Sequence, residues 1–133
     1  MVLDAQGLSK LAAGDPAVRS LVRRAQEHGG IIVTAASTVA EVLRGGPQDA
    51  PVHQALRHVN VAAISGEVGR KAGELLGAKG MSGHDHTVDA LLAAIALAQS
   101  RPAFMVTGDP DGMARLTEEP HRKKAERIAV VSI

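Results

Sequence analysis

The chain has 133 residues, the length of one hydrophobic core and not two, so a single domain spanning 1–133 is expected. It contains no cysteine, which excludes disulfides, thiolate metal sites and thiol catalysis and confines any metal to oxygen or imidazole ligands. One aromatic residue, Phe104, argues against a protein that stacks single-stranded bases on exposed rings, and a net charge of +1 gives no strongly basic nucleic-acid coat. There is no run of about 18 apolar residues for a membrane span. The start, Met1-Val2-Leu3-Asp4, lacks the basic then apolar pattern of a signal peptide, so the expectation is a soluble cytoplasmic protein with no membrane partner.

Short apolar runs rich in β-branched residues alternate with segments of helical spacing. Met1 to Leu3 reads as a strand, and Asp4 then caps a helix through Gly7, Leu8 and Leu11. Asp15-Pro16 is a cap followed by a first-position proline, and Val18, Leu21, Val22 and Ala25 form one helical face that ends near His28-Gly29-Gly30. A strand at Ile31 to Thr34 leads to a short helix from Ser37 or Thr38 to Arg44, a turn at Gly45-Gly46, and a helix from Pro51 to His58. A strand at Val59 to Ile64 precedes a helix from Ser65 and Glu67 to Lys79. The most regular helix, Asp85 to Gln99, carries Val88, Leu91, Leu92 and Ile95 on one stripe. Strands at Ala103 to Thr107 and Ile128 to Ile133 flank a helix that opens at Asp109-Pro110. Connections too long for hairpins imply an α/β fold: a five-stranded parallel sheet between two helical layers, a three-layer α/β/α sandwich.

Such sheets deliver the carboxyl ends of their strands to one edge, where ligands bind. Asp4 and Asp109 each follow a strand directly, and each is also explained as a helix cap. Strands adjacent at the point where the strand order reverses would bring both to one crevice. Glu41 stands among Val39, Ala40, Val42 and Leu43 in a helix with almost no other charge before Arg44. Asp89 sits at the edge of the apolar stripe of its helix, one turn from Asp85, beside Ala93 and Ala96. Four carboxylates at one sheet edge repel one another unless protonated or bridged by cations, and an oxygen-only ligand set suits Mg²⁺ or Mn²⁺. Two such ions about 3.5 to 4 Å apart activate water and stabilise the leaving oxygen of an in-line displacement, the chemistry of phosphodiester hydrolysis.

Val2-Leu3-Asp4-Ala5, Thr34 to Glu41 with Val42-Leu43-Arg44, Val88-Asp89-Ala90-Leu91-Leu92-Ala93-Ala94-Ile95-Ala96, and Met105-Val106-Thr107-Gly108-Asp109-Pro110-Asp111, in this order across nearly the whole chain, resemble a PIN domain. The likeness is strongest to the VapC-type toxin ribonucleases of type II toxin–antitoxin pairs. The resemblance implies a PIN-like α/β/α sandwich and a metal-dependent endoribonuclease that uses one or two Mg²⁺ or Mn²⁺ ions and a metal-activated water. It also implies inhibition by a small cognate antitoxin and a homodimer. By position, the family's acids match Asp4, Glu41, Asp89 and Asp109, and Thr107 matches a hydroxyl residue that holds the last acid or a water. Gly112 stands where many relatives carry a further acid, with Asp111 as its substitute; Asp85 is the substitute for Asp89.

Arg44 can reach the same rim as Glu41 and contact an RNA phosphate or an antitoxin carboxylate, and Arg122, Lys123 and Lys124 form the densest basic run, a second candidate for either contact. His84-Asp85-His86 faintly resembles a His-Asp phosphohydrolase cluster, but that fold is all-helical. A signalling receiver would want an acid pair after its first strand, where Asp4 is alone. A PIN-like binding module that has lost cleavage is the main alternative. No Walker loop, dinucleotide fingerprint or nucleophile elbow is present. Setting the four acids aside leaves ten acidic against fifteen basic side chains, so the near-zero net charge conceals an acidic pocket in a mildly basic body.

Overall fold

In the computed structural model, which describes residues 1–133, each short β-branched run finds a parallel neighbour. Strands β1 (Val2–Leu3), β2 (Val33–Ala35), β3 (Asn60–Ala62), β4 (Phe104–Thr107) and β5 (Ala129–Ser132) form one sheet in the order β3-β2-β1-β4-β5. All four pairings are parallel. The intervening helices are α1 (Ala5–Ala13), α2 (Pro16–Glu27), α3 (Ala36–Val42), α4 (Ala50–Leu56), α5 (Gly66–Lys79), α6 (Gly83–Leu97) and α7 (Pro110–Leu116). Single 3-10 turns occupy Pro47–Asp49 and Lys124–Glu126. The expected element order and the α/β/α architecture are both realised. No helix is long and apolar enough to cross a membrane.

Period-two alternation sorts the strand side chains onto two faces. Val2, Val33, Ala35 and Met105 face Leu92, Ile95 and Ala96 of α6 and Met113 of α7. Leu3, Ile32 and Val106 face Val18 and Val22 of α2, with Leu11 of α1 and Leu56 of α4 at the margin. Helix α6 is buried on a second side as well, where Ala90, Ala93 and Ala94 meet Ala72 of α5 and Leu116 of α7. Alanines at these positions let the helices approach closely, and they leave the amino-terminal turns of α6 as the place where a polar residue can emerge.

Four of the strands are shorter than the apolar runs that contain them, and β2 is shifted to Val33–Ala35, one residue past the expected Ile31 to Thr34. Val59 to Ile64 contributes only Asn60–Ala62, because β3 is an edge strand paired with β2 alone; Val61 stays 46% exposed and Ile64 39%. The last strand stops at Ser132 for the same reason. Helix α6 starts at Gly83 with Ser82 as its extended N-cap, two residues ahead of the expected start at Asp85. Asp85 instead lies in the first turn, where the helix dipole still favours a negative charge.

The buried Glu119 organises the opposite end of the sheet. Its carboxylate accepts from Arg101 Nη2 at 2.6 Å, Arg122 Nε at 2.9 Å and the Ile128 N–H at 3.2 Å. These bonds tie the approach to β5 against the segment that precedes β4. Leu92, 1% exposed, lies in the centre of the main cluster, so Leu92→Ala should lower the free energy of unfolding by about 2–5 kcal/mol in urea titration. A loss below about 1 kcal/mol would contradict this packing.

Candidate functional site

The order of the sheet reverses at β1 and β4, and Asp4 leaves β1 at that junction. Its N–H donates to the Val106 carbonyl at 3.2 Å, continuing the pairing by one residue. Its Oδ1 accepts from the Gly7 N–H at 2.7 Å, the bond of a helix cap. Its Oδ2 accepts from the Thr107 hydroxyl at 2.7 Å and the Gly108 N–H at 3.0 Å. One oxygen of Asp4 thus caps α1, and the other is held by the end of β4. Gly7 is needed for the approach of α1 to β4, since a Cβ there would stand 3.3 Å from the Val106 carbonyl oxygen.

Thr107, with no exposed surface, accepts from the Asp109 N–H at 2.9 Å while it donates to Asp4. This hydroxyl holds the last acid through its backbone N–H, while its own proton grips the first acid. Asp109 itself is exposed and caps α7, its Oδ1 accepting from the Gly112 N–H at 3.1 Å. A Cβ at Gly112 would lie 2.9 Å from the Asp109 Cγ, so the glycine makes room for this fold-back of the carboxylate. Asp111 is an exposed first-turn residue of α7.

Helix α3 packs against both α1 and α6 and carries Glu41 to the same edge. Asp89, in the second turn of α6, is half-buried there. Burial, then the charges of Asp109 and Asp4, push the Asp89 carboxyl above its ordinary value, with His86 opposing. Burial, then Asp89 and Asp4, push Glu41 upward, and Arg44 opposes. The four acids drawn from four elements therefore share one field. They do not form a closed ligand set: no three acidic or histidine side chains converge at coordination distance, and this includes His84-Asp85-His86. The physical reason is visible in the bonds, since Asp4 is held back by three donors and Asp109 by its cap. Asp85 is exposed and is not among the charges that act on Asp89.

Arg44 lies at the rim, but its guanidinium folds back to donate to the Ala40 and Leu43 carbonyls at 3.2 and 2.7 Å, closing the end of α3. Its position is set by Asp49, a residue without a role in the sequence reading. Asp49, 4% exposed, accepts from the Arg44 and Gly45 N–H groups at 2.8 and 2.6 Å, and these bonds hold its carboxyl below its ordinary value. Gly45 adopts a positive φ of 88°, so the Gly-Gly pair and an Asp four residues on were the available signal. Arg122, Lys123 and Lys124 are not part of this crevice. Ala129 pairs with Phe104 at the start of β4, which places the preceding basic loop at the amino-terminal edge of the sheet, opposite the acids. Density of charge along the chain gave no information about which edge it would occupy.

Two outcomes follow from this geometry. The folded state holds protons on Asp89 and Glu41 that the unfolded chain has already released, so these groups lower stability as pH rises from their unfolded values through their folded ones. Asp89→Asn should raise the melting temperature in EDTA at about pH 7, the gain vanishing below about pH 4; a pH-independent gain would contradict the repulsion. Glycine to alanine inside a helix ordinarily gains about 0.5–1 kcal/mol. Gly112→Ala should instead lose stability in urea unfolding, because it ejects Asp109 from a cap worth about 1 kcal/mol.

No family model and no curated protein matches this sequence. Among solved structures, the chain is similar over 98% of its length to 98% of a chain in the crystal structure of VapBC2 from Rickettsia felis bound to a DNA fragment from their promoter, with a TM-score of 0.71 and 15% sequence identity. The likeness establishes that this chain has the PIN-like fold of that VapBC2 chain.

Proposed function

We propose that this protein is a metal-dependent endoribonuclease, the toxin of a toxin–antitoxin pair. The observation that carries the reading is the gathering of Asp4, Glu41, Asp89 and Asp109 at the reversal point of the sheet, where Asp89 and Glu41 are pushed upward by burial and by the other acids. Two further features support a cation there. The donors are all hard oxygens, which suit Mg²⁺ or Mn²⁺, and two hydroxyls beside Glu41, Ser37 Oγ and Thr38 Oγ1, are buried without a partner. One or two bound ions would supply Lewis acidity and acidify water enough to attack phosphorus at neutral pH.

Each residue has a task that follows from its surroundings. Asp4, gripped by three donors, offers its remaining lone pairs from a fixed position and costs little reorganisation on binding. Asp89 and Glu41, already destabilised as anions, gain most when a cation arrives. Asp109 joins by turning off its cap, a bond worth about 1 kcal/mol. Arg44 places a positive charge at the rim, next to where an RNA phosphate enters. Attack by water in line forms the new P–O bond and breaks the bond to the 3′ oxygen, leaving 5′-phosphate and 3′-hydroxyl ends. The fold shared with a chain of VapBC2 supports a small cognate antitoxin as partner; a homodimer in the cytoplasm belongs to the same proposal.

A second reading, a binding module without cleavage, is favoured by the absence of three converging ligands. RNA digestion separates the two. The proposal predicts cleavage with Mn²⁺ or Mg²⁺, its loss in EDTA, at least a hundredfold decrease in Asp4→Asn and Asp89→Asn with the fold retained by circular dichroism, and 5′-phosphate product ends. Cleavage that survives EDTA, or 2′,3′-cyclic phosphate ends, would contradict it, and a folded wild-type protein that neither cleaves nor binds Mn²⁺ would establish the module.

A further inference from the structure

Buried threonines in this fold are satisfied with one exception. Thr34 donates to the Leu3 carbonyl at 2.8 Å, Thr107 to Asp4 at 2.7 Å and Thr117 to the Met113 carbonyl at 2.7 Å. Thr38, 1% exposed, has no partner for its hydroxyl, and neither has the buried Oγ of its neighbour Ser37. A buried hydroxyl left unpaired costs about 1–3 kcal/mol. A helical threonine ordinarily avoids this by donating to the carbonyl four residues back. Here that residue is Thr34 of β2, whose extended backbone runs straight into α3 with no helical turn before it.

Thr38 and Ser37 stand three and four residues before Glu41, one helical turn from it. The Thr34 bond to Leu3 anchors the start of this helix over the residue that precedes Asp4. Two orphaned hydroxyls thus sit one turn from an acid of the crevice and close to the strand end that delivers another. A bound water needs two to four polar partners, and Ser37, Thr38 and Glu41 supply them.

We propose that Thr38, with Ser37 beside it, is a positioning residue that holds a water of the bound cation's hydration shell beneath Glu41. The inference rests on the cation reading of the acidic crevice and adds to it the group that orders the solvent there. It explains why the fold retains an unpaired hydroxyl where valine would pack as well.

Thr38→Val keeps the shape and removes the hydroxyl, and Thr38→Ser keeps the hydroxyl. Each is compared with the wild-type chain by melting temperature in EDTA and by Mn²⁺ titration in a calorimeter. Thr38→Val should melt in EDTA at or above the wild-type temperature, because nothing is lost inside the fold, and should bind Mn²⁺ about tenfold more weakly, the usual effect of losing a group behind the ligands. Thr38→Ser should restore the affinity. A Thr38→Val protein that binds Mn²⁺ like wild type, or that melts lower in EDTA, overturns the inference while leaving the cation site standing. Wild-type protein that binds no Mn²⁺ overturns the cation site and the inference together. Should Thr38→Val fail to fold, Ser37→Ala carries the same comparison, with unchanged affinity again the contrary result.

Discussion

The bond from Thr107 to Asp4 is the contact on which the rest of the crevice depends. It joins the carboxyl ends of the two strands between which the sheet reverses, and it does so with a fully buried hydroxyl that also receives the Asp109 N–H. One side chain therefore sets the first acid, the direction of the chain after β4 and the start of α7. The Gly108 N–H completes the grip, so that Asp4 is fixed by the backbone of a strand distant in sequence. A carboxylate held in this way retains acceptor capacity toward the crevice and cannot swing out of it.

The other acids are placed by packing. Helix α6 is buried on two sides through alanines, which brings α5, α7 and the sheet close to it and leaves Asp89 half-buried at its solvent-facing start. Helix α3 wedges between α1 and α6 and brings Glu41 toward Asp89 and Asp4. Like charges in a partly desolvated crevice weaken the fold and would be relieved by a cation, so the electrostatic strain and the proposed function have one source. Asp109 is held by its cap and Asp4 by its three donors.

Much of this was legible in the chain. Alternating β-branched runs and capped helices gave the element order, because a parallel sheet needs long connections and its buried strands read as apolar runs. Strand ends were not legible: Val59 to Ile64 is apolar but for Asn60, and only pairing with β2 decides that Asn60–Ala62 is the strand. Asp85 does not mark the start of α6, because an aspartate near a helix start is equally at home in the first turn. Asp4 and Asp109 stood out because each follows a strand. The direction of the Thr107 bond, the turn built on Asp49 and the unpaired hydroxyl of Thr38 all depend on contacts between distant segments, which no local pattern encodes. The basic run at Arg122 to Lys124 misled for a related reason, since which edge it occupies is a property of topology.

The acidic crevice at the β1–β4 junction is proposed to be a divalent-cation site. Anomalous diffraction from crystals soaked in Mn²⁺ tests it most directly. A manganese peak coordinated by Asp4 and Asp89, with Glu41 or Asp109 drawn toward it, is the expected result. Manganese found only elsewhere, on the exposed histidines for instance, or no peak in crystals whose crevice is open to solvent, would contradict it.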